Sequence, residues 1–450
     1  MAYFIQTLNG YLWGFPMIAF LFCTHIFMSV RTGFVQKNVL RGIRLSMKAS
    51  DKEKGELSPF SCLATSLAST LGTGNIIGVG TAVALGGAGA VFWCWITGVF
   101  GMATQYGECM LAVRYRTKSK DGLCAGGPMY VLSQGVGSKS LGAVYAFLAG
   151  VCGLITGAAI QTNSISAVIS QYVGNHFFES GGERVFTTEL LVGVVTATLS
   201  AVVIFGGVRS IGKVCSFLVP FMALVYTLGC LAVLVINGEV LGKALALIIK
   251  DAFSLRSVGA GASGSVMMLS CRYGMARGLF SNEAGLGTSS VVSACARTDS
   301  PVKQGIIAMT ATFWDTVVMC LVTGLVIVST ILKNPDLTLS DGGALCLKAF
   351  ALIPYIGELI LVFSMVTFAF STVLGWSLVG EKCAEFVFGH RITKPYRLMW
   401  ILCVLLSPLV SLGVVWDFGD LINALLVIPN VTALVILSKE VRNDTKEYLK

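Results

Sequence analysis

Two short stretches place helix-breaking and polar residues inside otherwise apolar runs. The first reads STLGTGNIIGVGTA at 69–82, and the second reads RGLFSNEAGLGT at 277–288. Each glycine weakens a helix by about 1 kcal/mol relative to alanine, and a buried amide needs a hydrogen-bond partner. An interrupted helix exposes N–H groups at one broken end, which suit a carboxylate, and C=O groups at the other, which suit a small cation. The two stretches therefore predict a binding site for a zwitterion and an ion.

The predicted break in the first stretch lies at Thr73, Gly74 and Asn75. We expect the amides of Thr73 and Gly74 to hold a substrate carboxylate, while Asn75 orders the loop or touches the substrate. Glycine also allows two helices to pack closely. Helix packing needs no asparagine, so this residue favours a binding site.

The predicted break in the second stretch lies at Gly278, Phe280, Ser281 and Asn282. We expect their carbonyl groups to accept a substrate ammonium and the Phe280 ring to form a wall of the pocket. Glu283 follows directly, and a carboxylate at membrane depth is functional by default. It either braces the unwound segment through backbone N–H groups or binds the substrate, and we favour the brace.

A third polar segment, AIQTNSIS, lies in the apolar run 140–173. Gln161, Ser164 and Val168 share one face of a helix by their spacing. We expect Gln161 to donate a hydrogen bond to the substrate, and we include Asn163 in the same site. The alternative is hydrogen bonding between helices, which is worth only about 0.6 kcal/mol per bond.

Four further charges lie inside apolar runs, namely Arg272, Arg277, Asp315 and Glu108. An unpaired arginine is costly inside a membrane, so each arginine should find a carboxylate or a cluster of carbonyl groups. Arg277 lies one turn from the predicted break and is a candidate for an outer gate. Asp315 pairs with an arginine, forms a second cation site or carries a proton, and the role of Glu108 stays open.

The elements that position these residues are predicted to be membrane helices. The chain has 450 residues, of which 55% are apolar and only 12% are charged, and its mean hydropathy is +0.80. A soluble protein carries about 25% charged residues. Continuous apolar runs of about 20 residues exclude a β-barrel, whose strands alternate. The fourteen cysteines are too widely spaced for CxxC sites, and phosphate-binding and catalytic motifs are absent from the sequence, which argues against an enzyme.

Eleven apolar runs predict an all-α polytopic membrane protein with eleven transmembrane helices. No positive charge precedes the first run, unlike in a cleavable signal peptide, so this run should remain as a helix. The ten runs that follow are termed core helices one to ten. All eleven runs, in order, are 11–30, 60–85, 89–113, 140–173, 186–206, 212–236, 265–297, 304–331, 355–380, 395–412 and 417–438.

Loop charges predict the orientation in the membrane. With 31–58 in the cytoplasm, the cytoplasmic segments hold 24 Lys and Arg residues and the outer segments hold 6. The positive-inside rule then accounts for the net charge of +9, so nucleic-acid binding is not needed to explain it. The same rule places the N-terminus outside and the C-terminus in the cytoplasm. The outer loops 237–264 and 332–354 carry amphipathic pieces, which either pack across an outer vestibule or lie on the surface.

The ten core helices divide into two halves of nearly equal length, 60–236 and 265–438. Five spans in each half make the second half run inverted relative to the first. The two interrupted stretches lie in the first helix of each half, core helices one and six, and such matched interruptions indicate a transporter's binding site. The remaining regions are predicted to be an extra helix with a basic cytoplasmic loop (1–59) and a cytoplasmic tail (439–450).

Several motifs resemble the alanine or glycine:cation symporter family, also called sodium:alanine symporters. They are SLASTLGTGNIIGVGTA, GGPMYVL, ARGLFSNEAGLGTSS, PVKQG and FAFSTVLGWSLVGEK, in the family's order. The resemblance implies the leucine-transporter-type fold, with one extra helix before a five-plus-five inverted repeat whose core helices one and six are broken. It also implies sodium-driven import of a small neutral amino acid, such as alanine or glycine, across the plasma membrane, here the inner membrane of a prokaryote. Na⁺ is then the coupling ion, and no organic cofactor is expected.

Ser371 and Thr372 offer hydroxyl oxygens of the kind that a hard cation prefers. In the fold implied by the resemblance, such hydroxyls face carbonyls of core helix one, here Ala68 and Leu71, and together form a sodium site. The alternative is that the hydroxyls bond back to their own helix. Trp376, one turn further, is expected to bound the pocket and select small side chains, with ordinary packing as the alternative.

Two other functions remain open at this level. A proton-coupled amino acid transporter of the same fold would use Asp315 or Glu283 as the proton carrier. An ion channel is disfavoured because the sequence contains no repeated pore loop. The sequence does not rank alanine, glycine and serine as substrates.

Overall fold

The computed structural model describes residues 12–48, 55–119, 122–173, 177–180, 183–255, 266–334, 342–410 and 412–450. The beginning of the first predicted run and parts of the two predicted outer loops, 256–264 and 335–341, lie outside these residues. The described chain is mostly helical, and a helix lies within each of the eleven apolar runs.

The helices of the two halves begin and end near the predicted boundaries. In the first half they are Pro59–Thr70, Ile77–Gly86, Ala90–Arg114, Lys139–Cys152, Gln161–Val173, Thr187–Phe205 and Gly207–Ile236. In the second half they are Val266–Asn282, Thr288–Ala294, Pro301–Thr312, Leu321–Lys333, Gly357–Phe388, Thr393–Leu406 and Leu412–Ile436. The π-helical segments Gly153–Ile160 and Phe313–Cys320 make core helices three and seven continuous.

Length and hydropathy identify six helices of the described chain that can cross a membrane. Two bent helix pairs raise this number to eight, one at the N-terminus and one formed by the two halves of core helix one. Core helix nine is a 14-residue α-helix, Thr393–Leu406, which is shorter than a full span. The described chain is therefore a multi-pass membrane protein.

The two ends of the chain flank core helix two. The N-terminal helix Phe15–Arg31 contacts it through His25 Nδ1 and Thr104 Oγ1, which are 2.7 Å apart. The predicted tail forms a helix, Ser438–Leu449, whose Glu440 pairs with Arg114 at 3.1 Å. The C-terminal helix therefore packs against core helix two, although its charged sequence did not predict such packing.

The amphipathic pieces of the predicted outer loops form two further helices, Gly238–Ala252 and Gly342–Phe350. The first lies beside core helix two, because Trp93 Nε1 donates to the Ala252 carbonyl at 3.0 Å. The second packs on Ile77–Gly86 so closely that a Cβ on Gly80 would collide with its backbone. The second helix therefore covers the half of core helix one that follows the interruption.

Core helices one and six are joined at the ends farthest from those outer helices. Leu57 and Ala296 form a parallel β-bridge, in which the Arg297 amide donates to the Leu57 carbonyl at 2.8 Å. The Arg116 guanidinium adds a bond to the Ala296 carbonyl at 2.9 Å. These backbone bonds fix the two interrupted helices relative to each other. The described residues also form two short antiparallel ribbons, Thr117–Lys118 with Cys124–Ala125 and Phe177–Ser180 with Glu183–Phe186.

Candidate functional site

Core helix one is interrupted between Thr70 and Ile77, and the axes of its two halves differ by 63°. Asn75 Oδ1 accepts a hydrogen bond from the Gly72 amide at 3.0 Å, which closes the turn. The amides of Thr73 and Gly74 make no hydrogen bond with the described chain. The interruption thus leaves two buried N–H groups available to an anion, as at the start of any helix.

Core helix six leaves helical geometry later than predicted. It is continuous through Asn282, and the interruption covers Glu283 to Gly287, where Glu283, Gly285 and Gly287 have φ of +55°, +100° and +80°. Gly278 lies within the helix, and a Cβ there would collide with Thr97 of core helix two. Its role is therefore close helix packing, which corrects the predicted position of the break.

Two side chains keep the carbonyl groups at the end of this helix free. The amides of Ala284 and Gly285 would bond to Phe280 and Ser281 in a continuing helix. Instead, the Ala284 amide donates to Asn282 Oδ1 at 3.0 Å, and the Gly285 amide donates to Glu108 Oε1 at 2.9 Å. The Phe280 and Ser281 carbonyls are consequently left without their helical donors.

A cavity of about 20 Å³ lies between the two interruptions. Its size corresponds to one or two water molecules, so only a small guest enters without rearrangement of the walls. Predicted residues that line it are Gly74, Gln161, Phe280, Ser281, Glu283, Thr372 and Trp376. Lining residues that the sequence analysis did not identify are Ser69, Thr70, Gly72, Thr156, Leu286 and Asn423.

Glu283 and Trp376 form one wall of this cavity together. Trp376 Nε1 donates to Glu283 Oε1 at 3.0 Å, and Thr288 Oγ1 donates to Glu283 Oε2 at 2.5 Å. Trp376 packs closely against core helix three because Gly157 has no side chain there. A Cβ on Gly157 would collide with Trp376. Both carboxylate oxygens thus bond to neighbouring side chains rather than to backbone amides, and the interaction braces the interruption from its sides.

Gln161 and Asn163 point in different directions. Gln161 lines the cavity, with Oε1 at 3.4 Å from Thr73 Oγ1, whereas Asn163 Nδ2 donates to the Ser407 and Val410 carbonyls at 2.9 and 2.6 Å. Residues two positions apart project about 200° apart on a helix. Asn163 therefore connects core helices three and nine and is separate from the cavity.

Ser371 and Thr372 lie opposite the end of Pro59–Thr70. Ser371 Oγ is 3.5 Å from the Ala68 carbonyl oxygen, and Thr372 Oγ1 is 3.2 Å from that of Leu71. Both hydroxyls also bond to the Phe368 carbonyl of their own helix, at 2.8 and 3.0 Å. The structure therefore brings all four predicted residues together as a group of neutral oxygen atoms, a donor set that suits a hard monovalent cation.

Asp315 connects the two interruptions directly. Its Oδ1 accepts from Asn75 Nδ2 at 2.7 Å, and its Oδ2 accepts from Ser281 Oγ at 3.0 Å and from Thr316 Oγ1 at 2.6 Å. Within the described residues the carboxylate has no arginine partner, which corrects that alternative. This buried carboxylate, Asn75 and Ser281 form one network.

Glu108 bonds to the backbone of the second interruption at Gly285. Its Oε1 also accepts from Asn430 Nδ2 at 2.6 Å, and the same Nδ2 donates to the Gly285 carbonyl at 2.8 Å. Core helices two, six and ten therefore meet at Gly285. Asn430 was missed at the sequence level, although an amide within an apolar run was the signal that could have identified it.

A larger cavity of about 330 Å³ lies on the other side of Phe280. The Phe280 ring lines both cavities and packs against Trp416, with ring centroids 5.5 Å apart. Arg277 lines the larger cavity, and its guanidinium lies 6.0 Å from the Phe280 ring centroid. Arg272 is exposed and lies over the Tyr273 ring at 5.4 Å. Both arginines contact aromatic rings, whereas carboxylate or carbonyl partners were expected.

Comparison with known proteins supports both the fold and the family. A profile of the sodium:alanine symporter family matches residues 1–450. The sodium/alanine symporter AgcS of Methanococcus maripaludis is 40% identical over 99% of this chain and 96% of its own length. An uncharacterized transporter of Haemophilus influenzae is 38% identical over 99% of this chain and 96% of its own length.

A further relative is named as a putative sodium/proton-dependent alanine carrier protein, YrbD of Bacillus subtilis. It is 31% identical over the full chain and 92% of its own length. Among solved structures, MhsT in complex with L-phenylalanine superimposes with a TM-score of 0.62 over 85% of this chain and 89% of its own, at 14% identity. That likeness identifies the leucine-transporter-type fold. From the matches along its whole length, the chain belongs to the sodium:alanine symporter family.

Proposed function

We propose that this chain is a sodium-coupled symporter that imports a small neutral amino acid, alanine or glycine, by alternating access across the plasma membrane. One observation carries the proposal. Two helix interruptions meet at one cavity, where the first offers free N–H groups and the second offers free C=O groups. A zwitterionic α-amino acid needs this pair of opposite backbone ends.

In the proposed complex, the amides of Thr73 and Gly74 bind the substrate carboxylate. The carbonyls of Phe280 and Ser281 accept the ammonium group. The side chain then faces Trp376, whose position against Gly157 leaves little room. The close packing of Trp376 at this wall supports alanine or glycine over an aromatic amino acid.

The proposed sodium ion binds between core helices one and eight. Its ligands are the carbonyls of Ala68 and Leu71 with the hydroxyls of Ser371 and Thr372, supported by their separations of 3.2 and 3.5 Å. One Na⁺ moving through 100 mV supplies about 2.3 kcal/mol, and a tenfold gradient adds about 1.4 kcal/mol. Their sum supports accumulation of a few hundredfold, on the order needed by a nutrient importer.

Access from outside is proposed to pass through the larger cavity. Phe280 and Trp416 separate this cavity from the smaller one, so they act as the outer gate, with Arg277 beside the Phe280 ring. On the opposite side, the Leu57–Ala296 bridge closes the route to the cytoplasm. The proposal includes eleven membrane helices, inverted repeats at 60–236 and 265–438, an outer N-terminus and a cytoplasmic C-terminus.

A proton-coupled transporter of the same fold is the second candidate. The buried Asp315 carboxylate in the network between the two interruptions favours it, as a group that can bind a proton. The name of the YrbD relative also mentions both ions. Sodium is preferred because neutral oxygen atoms at Ser371 and Thr372 provide a cation site that needs no proton.

Uptake of labelled alanine into proteoliposomes tests the proposal. We expect accumulation with an inward sodium gradient and its loss when potassium replaces sodium at equal pH on both sides. Unlabelled glycine should compete, whereas phenylalanine should not. Undiminished uptake without sodium, driven by a proton gradient, would establish the second candidate instead.

A further inference from the structure

A cavity of about 460 Å³ lies at one end of the helix bundle, away from the proposed transport site. It is surrounded by the last residues of Gly357–Phe388, the first residues of Thr393–Leu406 and the turn that follows Thr187–Phe205. Two of these helices qualify as membrane spans and end here. The cavity therefore lies at the level of the membrane surface, on the side that the loop charges predict to be cytoplasmic.

The floor of the cavity is a set of paired charges. Lys382 Nζ and Glu385 Oε2 are 2.8 Å apart, and Arg397 bonds to Glu381 at 2.6 and 2.9 Å. Both lining carboxylates are thereby used by lining cations. These pairs neutralise each other and give the floor no net charge.

The rim of the cavity carries two further cations, Arg391 and Lys394. Both are exposed, and their side chains make no ion pair or hydrogen bond within the part of the chain that the structure describes. Arg391 lies in the short 3₁₀ turn His390–Ile392, and Lys394 lies in the first turn of the helix that follows, Thr393–Leu406. The cavity thus has an excess of two positive charges that form no ion pair with the described residues.

Apolar surface adjoins this positive rim. Phe205 and Phe388, the last residues of two membrane-span helices, are 53% and 60% exposed. Arg397 Nη1 is 3.5 Å from the Phe205 carbonyl, so the end of this helix adjoins a residue that lines the cavity. A ligand that combines a phosphate with acyl chains would satisfy both surfaces, whereas a free phosphate would use only the cations.

We propose that this cavity binds the headgroup of an anionic phospholipid. Arg391 and Lys394 hold the phosphate, and the acyl chains lie along Phe205 and Phe388. Basic pockets between helices on the cytoplasmic side are suited to such headgroups. Because the cavity joins core helices eight and nine, lipid binding stabilises their packing.

The test compares the double variant R391Q/K394Q with wild type and a matched control, K439Q/K446Q. The control removes two exposed lysines from the C-terminal helix Ser438–Leu449, outside the cavity. The unfolding temperature of each purified full-length protein is measured against added phosphatidylglycerol or phosphatidylcholine. We expect phosphatidylglycerol alone to raise it, with half-saturation about 30-fold weaker in the double variant than in wild type and control.

Three results would overturn the proposal. Equal half-saturation in the double variant and wild type would exclude the cavity as the site. Equally weakened lipid binding in the control K439Q/K446Q would show that the effect depends on overall surface charge and not on this cavity. Protection by millimolar inorganic phosphate alone would identify a soluble phosphate ligand. The single variants R391Q and K394Q, each expected to weaken binding about fivefold, provide the same test if the double variant fails to fold.

Discussion

The substitution Thr372→Val tests the proposed sodium ligands with little change in shape. Valine keeps the branched side chain but lacks the hydroxyl that lies 3.2 Å from the Leu71 carbonyl. The second bond of this hydroxyl, to the Phe368 carbonyl at 3.0 Å, is within its own helix, whose backbone ladder satisfies that carbonyl. An oxygen that bonds to a charged group contributes about 1.5–3 kcal/mol. Its loss should therefore raise the half-saturating sodium concentration about 10- to 150-fold.

The assay is alanine uptake into proteoliposomes as a function of sodium concentration at fixed membrane potential. Thr367→Val is the matched control, because Thr367 lies on the same helix and its hydroxyl bonds only to carbonyls of that helix, at 2.9 and 3.1 Å. We expect the control to keep the wild-type sodium dependence. An unchanged sodium curve for Thr372→Val, or an equal shift in both variants, would refute the proposed ligand set.

Three further substitutions test the rest of the site. Asn75→Ala removes the acceptor of the Gly72 amide, so we expect uptake per inserted protein to fall about tenfold or more. Uptake at the wild-type rate would count against the interruption as the binding site. Gly285→Ala places a side chain on a residue with φ +100°, and the backbone strain should lower the free energy of unfolding by about 1–3 kcal/mol. The control Gly242→Ala has open space around the new side chain and should not lower the free energy of unfolding. Equal stability of the two variants would contradict backbone strain at Gly285. Trp376→Leu should let leucine compete with labelled alanine, and an unaltered competition profile would argue against its role as the wall.

The first interruption could be predicted from the sequence because its residues are locally sufficient. Gly72 and Asn75 form the turn between themselves, through one hydrogen bond that spans three positions. The second interruption was predicted too early, at Gly278, Phe280, Ser281 and Asn282, whereas it begins directly after Asn282. A glycine that allows close packing and one that adopts positive φ look the same in a sequence, since both need the absence of a Cβ.

Distant residues determine where the second interruption falls. Glu108, from core helix two, takes the Gly285 amide out of the helical ladder, and Asn430, from core helix ten, bonds to the carbonyl of the same residue. Neither contact has a local signal near Gly285. The misplacement of Asn163 has a different origin, because an ideal helix already predicts that it faces away from Gln161.

The Asp315 network explains how events at one interruption reach the other. Asn75 caps the turn of core helix one through Oδ1 and donates to Asp315 through Nδ2. Ser281 donates its hydroxyl to the same carboxylate, while its backbone carbonyl is a proposed acceptor for the substrate ammonium. A change in the charge or position of this one carboxylate therefore alters the N–H groups and the C=O groups of the site together. These direct contacts, each under 3.5 Å, therefore link the two interruptions without a relay through the bundle.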